Sequence, residues 1–142
     1  MSRTLKAAVA MLLLAMVLVS ASGCGAAAGD PLEGTSWRLT GWTVSSIDPS
    51  SVTITAEFKE GQIGGNSGVN SYGAPYATGA NGALTIGTIT STLIAGPEPA
   101  MRAETAYDAL LAKVASFKID GNTLALLDAS GNQSLIFTAR AK

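Results

Sequence analysis

One thiol, ten carboxylates and no imidazole set the chemistry open to this 142-residue chain. Without histidine, neither a Ser-His-Asp nor a Cys-His arrangement can be built, and a zinc site of His and Cys ligands is out of reach. Glu57, Glu60, Asp120 and Asp128 are candidates for the paired carboxylates of acid-base chemistry. They fall at a strand end, its turn and two hairpin turns, where solvation alone accounts for them. The run from Gly64 to Gly73 has the glycine spacing of a phosphate-cradling loop, which needs a strand before it and a helix directly after it. Pro75, Tyr76 and a second turn-rich segment follow instead, so the glycines are read as serving a bulge or a sharp bend. Trp37, Trp42, Tyr72 and Tyr76 offer rigid aromatic area for a carbohydrate or apolar ligand; in a domain this small, the other reading places most of its aromatics in the core. Asn70, Tyr72 and Tyr76, grouped on the glycine-rich loop, are the candidate partner or ligand contacts. Their other reading is a set of side-chain hydrogen bonds that fix a bend. No catalytic residue, metal site or cofactor is expected.

The thiol belongs to a different chemistry. Cys24 closes a segment with Arg3 and Lys6 at its start, 13 apolar or small residues from Ala7 to Val19, and Ser20-Ala21-Ser22-Gly23 before the sulfur. A cationic start, a short apolar run and small residues at a cleavage point form the secretory pattern. The cysteine makes it resemble a bacterial lipobox, with Ala21 where leucine is commoner. That resemblance implies removal of residues 1–23 as a signal peptide and attachment of diacylglycerol to Cys24, with palmitate among its acyl chains. The alternatives are an ordinary secretory signal and a retained helix, for which this run falls short of the roughly 20 residues that span a bilayer. Two acyl chains would hold the protein stably, where one holds only marginally. The expected location is the extracytoplasmic face of the bacterial cell membrane.

Composition narrows the partners. Beyond residue 23 lie all ten acids and seven of the nine bases, a formal charge of −3. No basic run is present, so the electrostatic footprint of a nucleic-acid binder is missing. The 119 residues left after cleavage suit one domain with one core, and with a single cysteine no disulfide can form within them.

The elements that would position these residues follow from periodicity. Residues 24–31 are small and aperiodic, a lipidated tether; the domain is placed at 32–142. Trp37, Leu39 and Trp42 mark a first strand running up to Ile47. Val52, Ile54, Ala56 and Phe58 alternate with polar residues as a second strand. Leu84 to Ile89 alternates likewise. Pro97-Glu98-Pro99 opens a helix predicted over about Ala100–Ser116, with Ala103, Ala106, Tyr107, Leu110, Leu111, Val114 and Phe117 on its apolar stripe. Arg102, Glu104, Asp108 and Lys113 are assigned to the opposite side. Asp120-Gly121 signals a hairpin, and strands at Leu124–Leu127 and Leu135–Phe137 complete the chain. The predicted fold class is α+β: a curled, barrel-like antiparallel sheet carrying one amphipathic helix.

These motifs together resemble the META domain family, which includes the HslJ-like heat-shock proteins. The likeness runs from about Leu32 to Phe137. It rests on Gly34-Thr35-Ser36-Trp37, on Gly65-Asn66-Ser67-Gly68-Val69-Asn70-Ser71-Tyr72, on Thr92-Leu93-Ile94-Ala95, on Met101 with Glu104, and on Ile119 to Leu126 with Gly131 and Phe137. Many members carry Gly-Cys-Asn where this chain has Gly68-Val69-Asn70, and a second cysteine near Gly96. The paired absence is what a lost structural cross-link would look like. The resemblance implies a β-rich domain with a helix, compared in the family to lipoprotein pilotins, and no enzymatic activity.

The functional expectation is therefore a membrane-anchored envelope lipoprotein, non-enzymatic, acting as a binding, assembly or stress-related module on an unidentified envelope protein. The alternative is a carrier sheltering a small apolar ligand or lipid tail between helix and sheet. A packed interior with an exposed patch or unpaired strand edge favours the first; an apolar cavity open to solvent favours the second.

Overall fold

The strands form where apolar and polar residues alternate, and each alternation turns one face inward. The computed structural model describes residues 29–141; the signal segment and Cys24 lie outside the described residues. Nine strands and one α-helix follow in order: β1 (Thr35–Trp42), β2 (Thr55–Lys59), β3 (Gln62–Asn66), β4 (Ser71–Thr78), β5 (Leu84–Ile86), β6 (Thr90–Ser91), α1 (Glu98–Leu111), β7 (Val114–Asp120), β8 (Thr123–Asp128) and β9 (Gln133–Ala139). On β1, Trp37 and Leu39 are buried while Arg38 and Thr40 are exposed; on β2, Ala56 and Phe58 are buried between exposed Glu57 and Lys59. Glu60 and Gly61 join β2 to β3 with φ of 52° and 73°, a two-residue turn whose hand matches the twist of the strands.

The sheet is antiparallel, in the order β5-β4-β3-β2-β1-β9-β8-β7, with β6 also on β4. A bridge between Ala83 and Ser116 links the β5 end to β7, so the sheet curls almost into a closed barrel. The helix lies across its concave side. Tyr107 of α1 is fully buried and its ring meets Tyr72 of β4 at 5.3 Å and Phe137 of β9 at 6.4 Å. Those strands are four places apart in the sheet, and one side chain reaches both only from inside the curl. Among the described residues the core is drawn from between Leu32 and Phe137, all within residues 25–142.

Several expectations need correction: β1 ends at Trp42 and β5 at Ile86, short of the expected Ile47 and Ile89. The glycine-rich run is not a loop: it builds β3 and β4, paired from Gln62–Pro75 to Asn66–Ser71. Gly65 is required there because a β-carbon would lie 2.4 Å from the Thr55 carbonyl oxygen. The helix ends at Leu111, five residues before the predicted end, and Val114 and Phe117 belong to β7. A register shift between Val114 and Ser116 turns both side chains inward. Such a bulge gives a strand the i, i+3 spacing that otherwise reads as helix.

Candidate functional site

Asn70 ends the tight turn between β3 and β4 and is 2% exposed. Its carboxamide is fully used: Oδ1 accepts from the Ile94 N–H at 2.7 Å and the Thr92 hydroxyl at 2.8 Å, while Nδ2 donates to the Ile94 carbonyl at 3.1 Å and to Glu104 Oε1 at 2.7 Å. Glu104 in turn receives the Ser67 hydroxyl at 2.9 Å, the Val69 N–H at 3.1 Å and the Asn70 N–H at 2.7 Å, all on Oε2. One carboxylate thus ties the β3–β4 turn to the helix, and one carboxamide ties the segment after β6 to both. Burial pushes the Glu104 carboxyl up, but the hydrogen bonds from Asn70, Val69 and Ser67 outweigh it and hold it below the usual carboxylate range. With its acceptor sites so occupied, Glu104 is a lock and not an acid-base group.

One turn along the helix, Asp108 is in the opposite condition. Burial first, and then the Glu104 charge, push its carboxyl up, and its buried Oδ1 has no hydrogen-bond partner. Glu104 was expected on the polar side of the helix. It is buried instead, on one stripe with Tyr107 and Leu111, and the i, i+3, i+7 spacing of the three already contains that signal.

The three candidate contact residues are placed inward. Tyr72 is 6% and Tyr76 8% exposed, both on β4. The Tyr72 hydroxyl donates to the Thr55 carbonyl at 2.9 Å, so the Tyr107 hydroxyl is the donor in their 2.7 Å contact; burial pushes the Tyr72 phenol up. The Tyr76 hydroxyl donates to Asp30 and lies 3.2 Å from Glu33. The grouped, outward-facing contact loop expected from the sequence is therefore corrected: strand alternation sends Tyr72 and Tyr76 into the core, and Asn70 is spent on fixing backbone. Asp30, expected in the tether, belongs to the folded body, since it also accepts the Leu32 N–H at 2.9 Å. The Glu60–Gly61 turn and Asp30 mark one end of the barrel; the Asn70 turn marks the other.

What Asn70 holds is the exposed feature. Leu93 is 96% and Ile94 61% exposed, on the segment joining β6 to α1. That segment is also packed at its far end: a β-carbon on Gly96 would lie 2.6 and 2.8 Å from the Val69 methyls. Val69 and Gly96 are thus in contact here, with valine filling the space over glycine. Beside α1, an apolar depression of about 510 Å³ is lined by Val44, Ile47, Met101, Ala106 and Ala109 among others.

The other sequence candidates do not converge. Glu57 points outward from β2, Glu60 sits in the β2–β3 turn, and Asp120 and Asp128 lie at opposite ends of the β7–β8 hairpin. Asp128 caps its own turn, its Oδ1 accepting the Ser130 and Asn132 N–H groups. Trp37 is buried and Trp42 donates to the Ile47 carbonyl at 2.8 Å. Among the described residues no group of three or more Asp, Glu, His or Cys is placed to hold a metal, and no helix is long and apolar enough to cross a membrane.

Comparison with known proteins agrees with this architecture. No curated protein matches the sequence. An NMR structure of a protein from Burkholderia xenovorans is 23% identical, with a TM-score of 0.64 over 78% of this chain and 85% of that one. A second NMR structure is 18% identical, with a TM-score of 0.57 over 75% of this chain and 90% of that one. At such identities the likeness is one of fold. The model of the META domain matches residues 30–141, beginning at the Asp30 that the folded body includes and ending beyond β9. On that match and this fold, the chain belongs to the META domain family.

Proposed function

We propose that this protein is an exported lipoprotein, held by diacylglycerol on Cys24 at the extracytoplasmic face of the bacterial cell membrane, whose META domain is a non-enzymatic binding and assembly module for envelope polypeptides. The observation that carries the reading is Leu93, 96% exposed on a segment that Asn70 and the Val69–Gly96 contact hold in place. An apolar side chain displayed on a hydrogen-bonded frame suits contact better than core packing. Its position supports a protein partner over the bilayer. The chain enters the domain at the Asp30 end, and Leu93 sits at the Asn70 end, about 20–25 Å away along β4.

Two measurements test this. Labelled palmitate should enter the wild-type protein and not Cys24→Ser; an unlabelled wild type defeats the anchor. Photo-crosslinking from position 95, an exposed neighbour on the same segment, in intact cells should yield a protein adduct that Leu93→Asp abolishes without changing the melting temperature. Adducts to lipid alone would refute the contact surface. The burial of Tyr107, Leu111 and Phe137, which have no exposure, counts against a carrier chamber between helix and sheet. The remaining support for the carrier alternative is the depression beside α1, and saturable displacement of an apolar fluorophore from there would favour it.

A further inference from the structure

Residues 61–97 contain no Asp, Glu, Lys or Arg, and from Gly87 to Pro99 every residue but Ile89 and Gly96 is exposed. Within this stretch β6 is an edge strand. Its inner side is bonded to β4: the Thr92 N–H donates to the Ser71 carbonyl at 3.0 Å, and Thr90 and Ser91 stand opposite Gly73 and Tyr72. Antiparallel pairing alternates, so Thr90 and Thr92 direct their backbone groups to β4, while those of Ile89, Ser91 and Leu93 point away from it. The Ala83–Ser116 bridge lies at the β5 end, and among the described residues no strand pairs with the outer side of β6. Proteins that stay monomeric blunt such an edge with charge, proline or a bulge. Here the exposed edge carries no charge at all.

The order of side chains says what fits the edge. Thr88-Ile89-Thr90-Ser91-Thr92-Leu93-Ile94 is close to symmetric about Ser91, Thr90 mirroring Thr92 and Ile89 mirroring Leu93. A two-fold axis at Ser91 would set two copies antiparallel, Ile89 of one against Leu93 of the other on one face and Thr90 against Thr92 on the other. Apolar and Thr–Thr cross-strand pairs are favourable ones. The backbone groups free at positions 89, 91 and 93 are the set this register pairs. Two uncharged edges also meet without like-charge repulsion, although the chain as a whole is acidic.

We infer that β6 is a self-association edge, through which two copies of this chain join antiparallel about Ser91 into one continuous sheet. The inference rests on the reading of the domain as an assembly module and names its partner as a second copy. A contact of one short strand is weak in dilute solution. Anchoring both copies in one membrane raises their effective concentration, so a weak contact suffices there.

Residues 25–142 contain the core of the described residues and no cysteine, so Ser91→Cys gives that fragment a single thiol. Under mild oxidation it should form a disulfide dimer much faster than Ala129→Cys, an exposed control in the β8–β9 turn. In sedimentation velocity across a concentration series, the unsubstituted fragment should show a monomer–dimer equilibrium. Ser91→Lys puts like charges opposite each other at the axis, and should raise the dissociation constant at least about tenfold with unchanged circular dichroism. Equal cross-linking rates for the two cysteines, or a monomer at every concentration, overturns the inference. If that happens while Leu93→Asp still abolishes a heterologous adduct in cells, the binding reading stands without self-association. A dimer that Ser91→Lys leaves intact means that the copies meet elsewhere, and also overturns it.

Discussion

Replacing Val69 and Gly96 together by cysteine is expected to staple the Asn70 turn to the Leu93 segment and to raise stability by about 2.5 kcal/mol. A β-carbon on Gly96 falls 3.3 Å from Val69 Cβ, so only a small relaxation reaches the roughly 3.5–4.5 Å between β-carbons of a disulfide. Gly96 does not occupy the left-handed region, so a side chain there is not strained by its backbone. The methyls that crowd the position leave with valine. The closed loop, positions 69–96, has 28 residues, and the chain-entropy relation then gives about 3.6 kcal/mol at 25 °C. Loss of the partly buried valine methyls subtracts about 1 kcal/mol. For a domain of this size the remainder corresponds to about 10 °C in melting temperature. The assay is thermal melting of oxidised and reduced residues 25–142, otherwise free of thiols, with thiol titration to confirm closure. Thiols that stay free under oxidation would refute the contact itself. Closure with oxidised and reduced melts within about 2 °C would refute the claim that this loop's freedom is gained on unfolding.

Glu104→Gln should cost about 2–3 kcal/mol at neutral pH, because an amide nitrogen replaces an oxygen that now accepts from buried donors. Since the folded-state pKa of Glu104 is lowered, its stabilisation is fully present above the unfolded value near 4.3 and fades as pH falls through the lower folded value; urea titrations of wild type and variant should converge in acid. Tyr72→Phe should destabilise more than Tyr107→Phe in the same assay, since it strips a partner from both the Tyr107 hydroxyl and the Thr55 carbonyl, whereas the reverse change leaves Tyr72 bonded to Thr55. Leu111→Ala should cost about 2–5 kcal/mol and exceed Leu110→Ala, because Leu111 has no exposure and Leu110 is half-buried; equal losses would contradict the helix orientation.

Composition and local order alone determined a good deal. The lack of histidine and the single cysteine removed whole reaction classes before any fold was known. Alternation at Trp37–Leu39 and at Ala56–Phe58 and the Asp120-Gly121 turn marked strands and a hairpin, because period-2 burial and turn backbone are local properties. The resemblance to the META family was likewise written in short motifs along the chain, and the matching family model bears it out.

Only the tertiary structure decided which side chains act. Asn70, Tyr72 and Tyr76 looked like one exposed cluster because a glycine-rich run has no periodicity of its own. Pairing of β3 with β4 converts that run into strands and sends the tyrosines inward. Glu104 looked solvated because charge is ordinarily outside. Its burial depends on donors from Ser67, Val69 and Asn70, more than thirty residues away along the chain. Val114 and Phe117 looked helical because a bulge, visible only against β8, reproduces helical spacing in a strand. Leu93 gave no sign of being displayed, since an apolar residue near a helix start is by default a core residue. Its exposure follows from a hydrogen-bonded frame assembled by three separate segments, and that long-range arrangement is what local sequence cannot express.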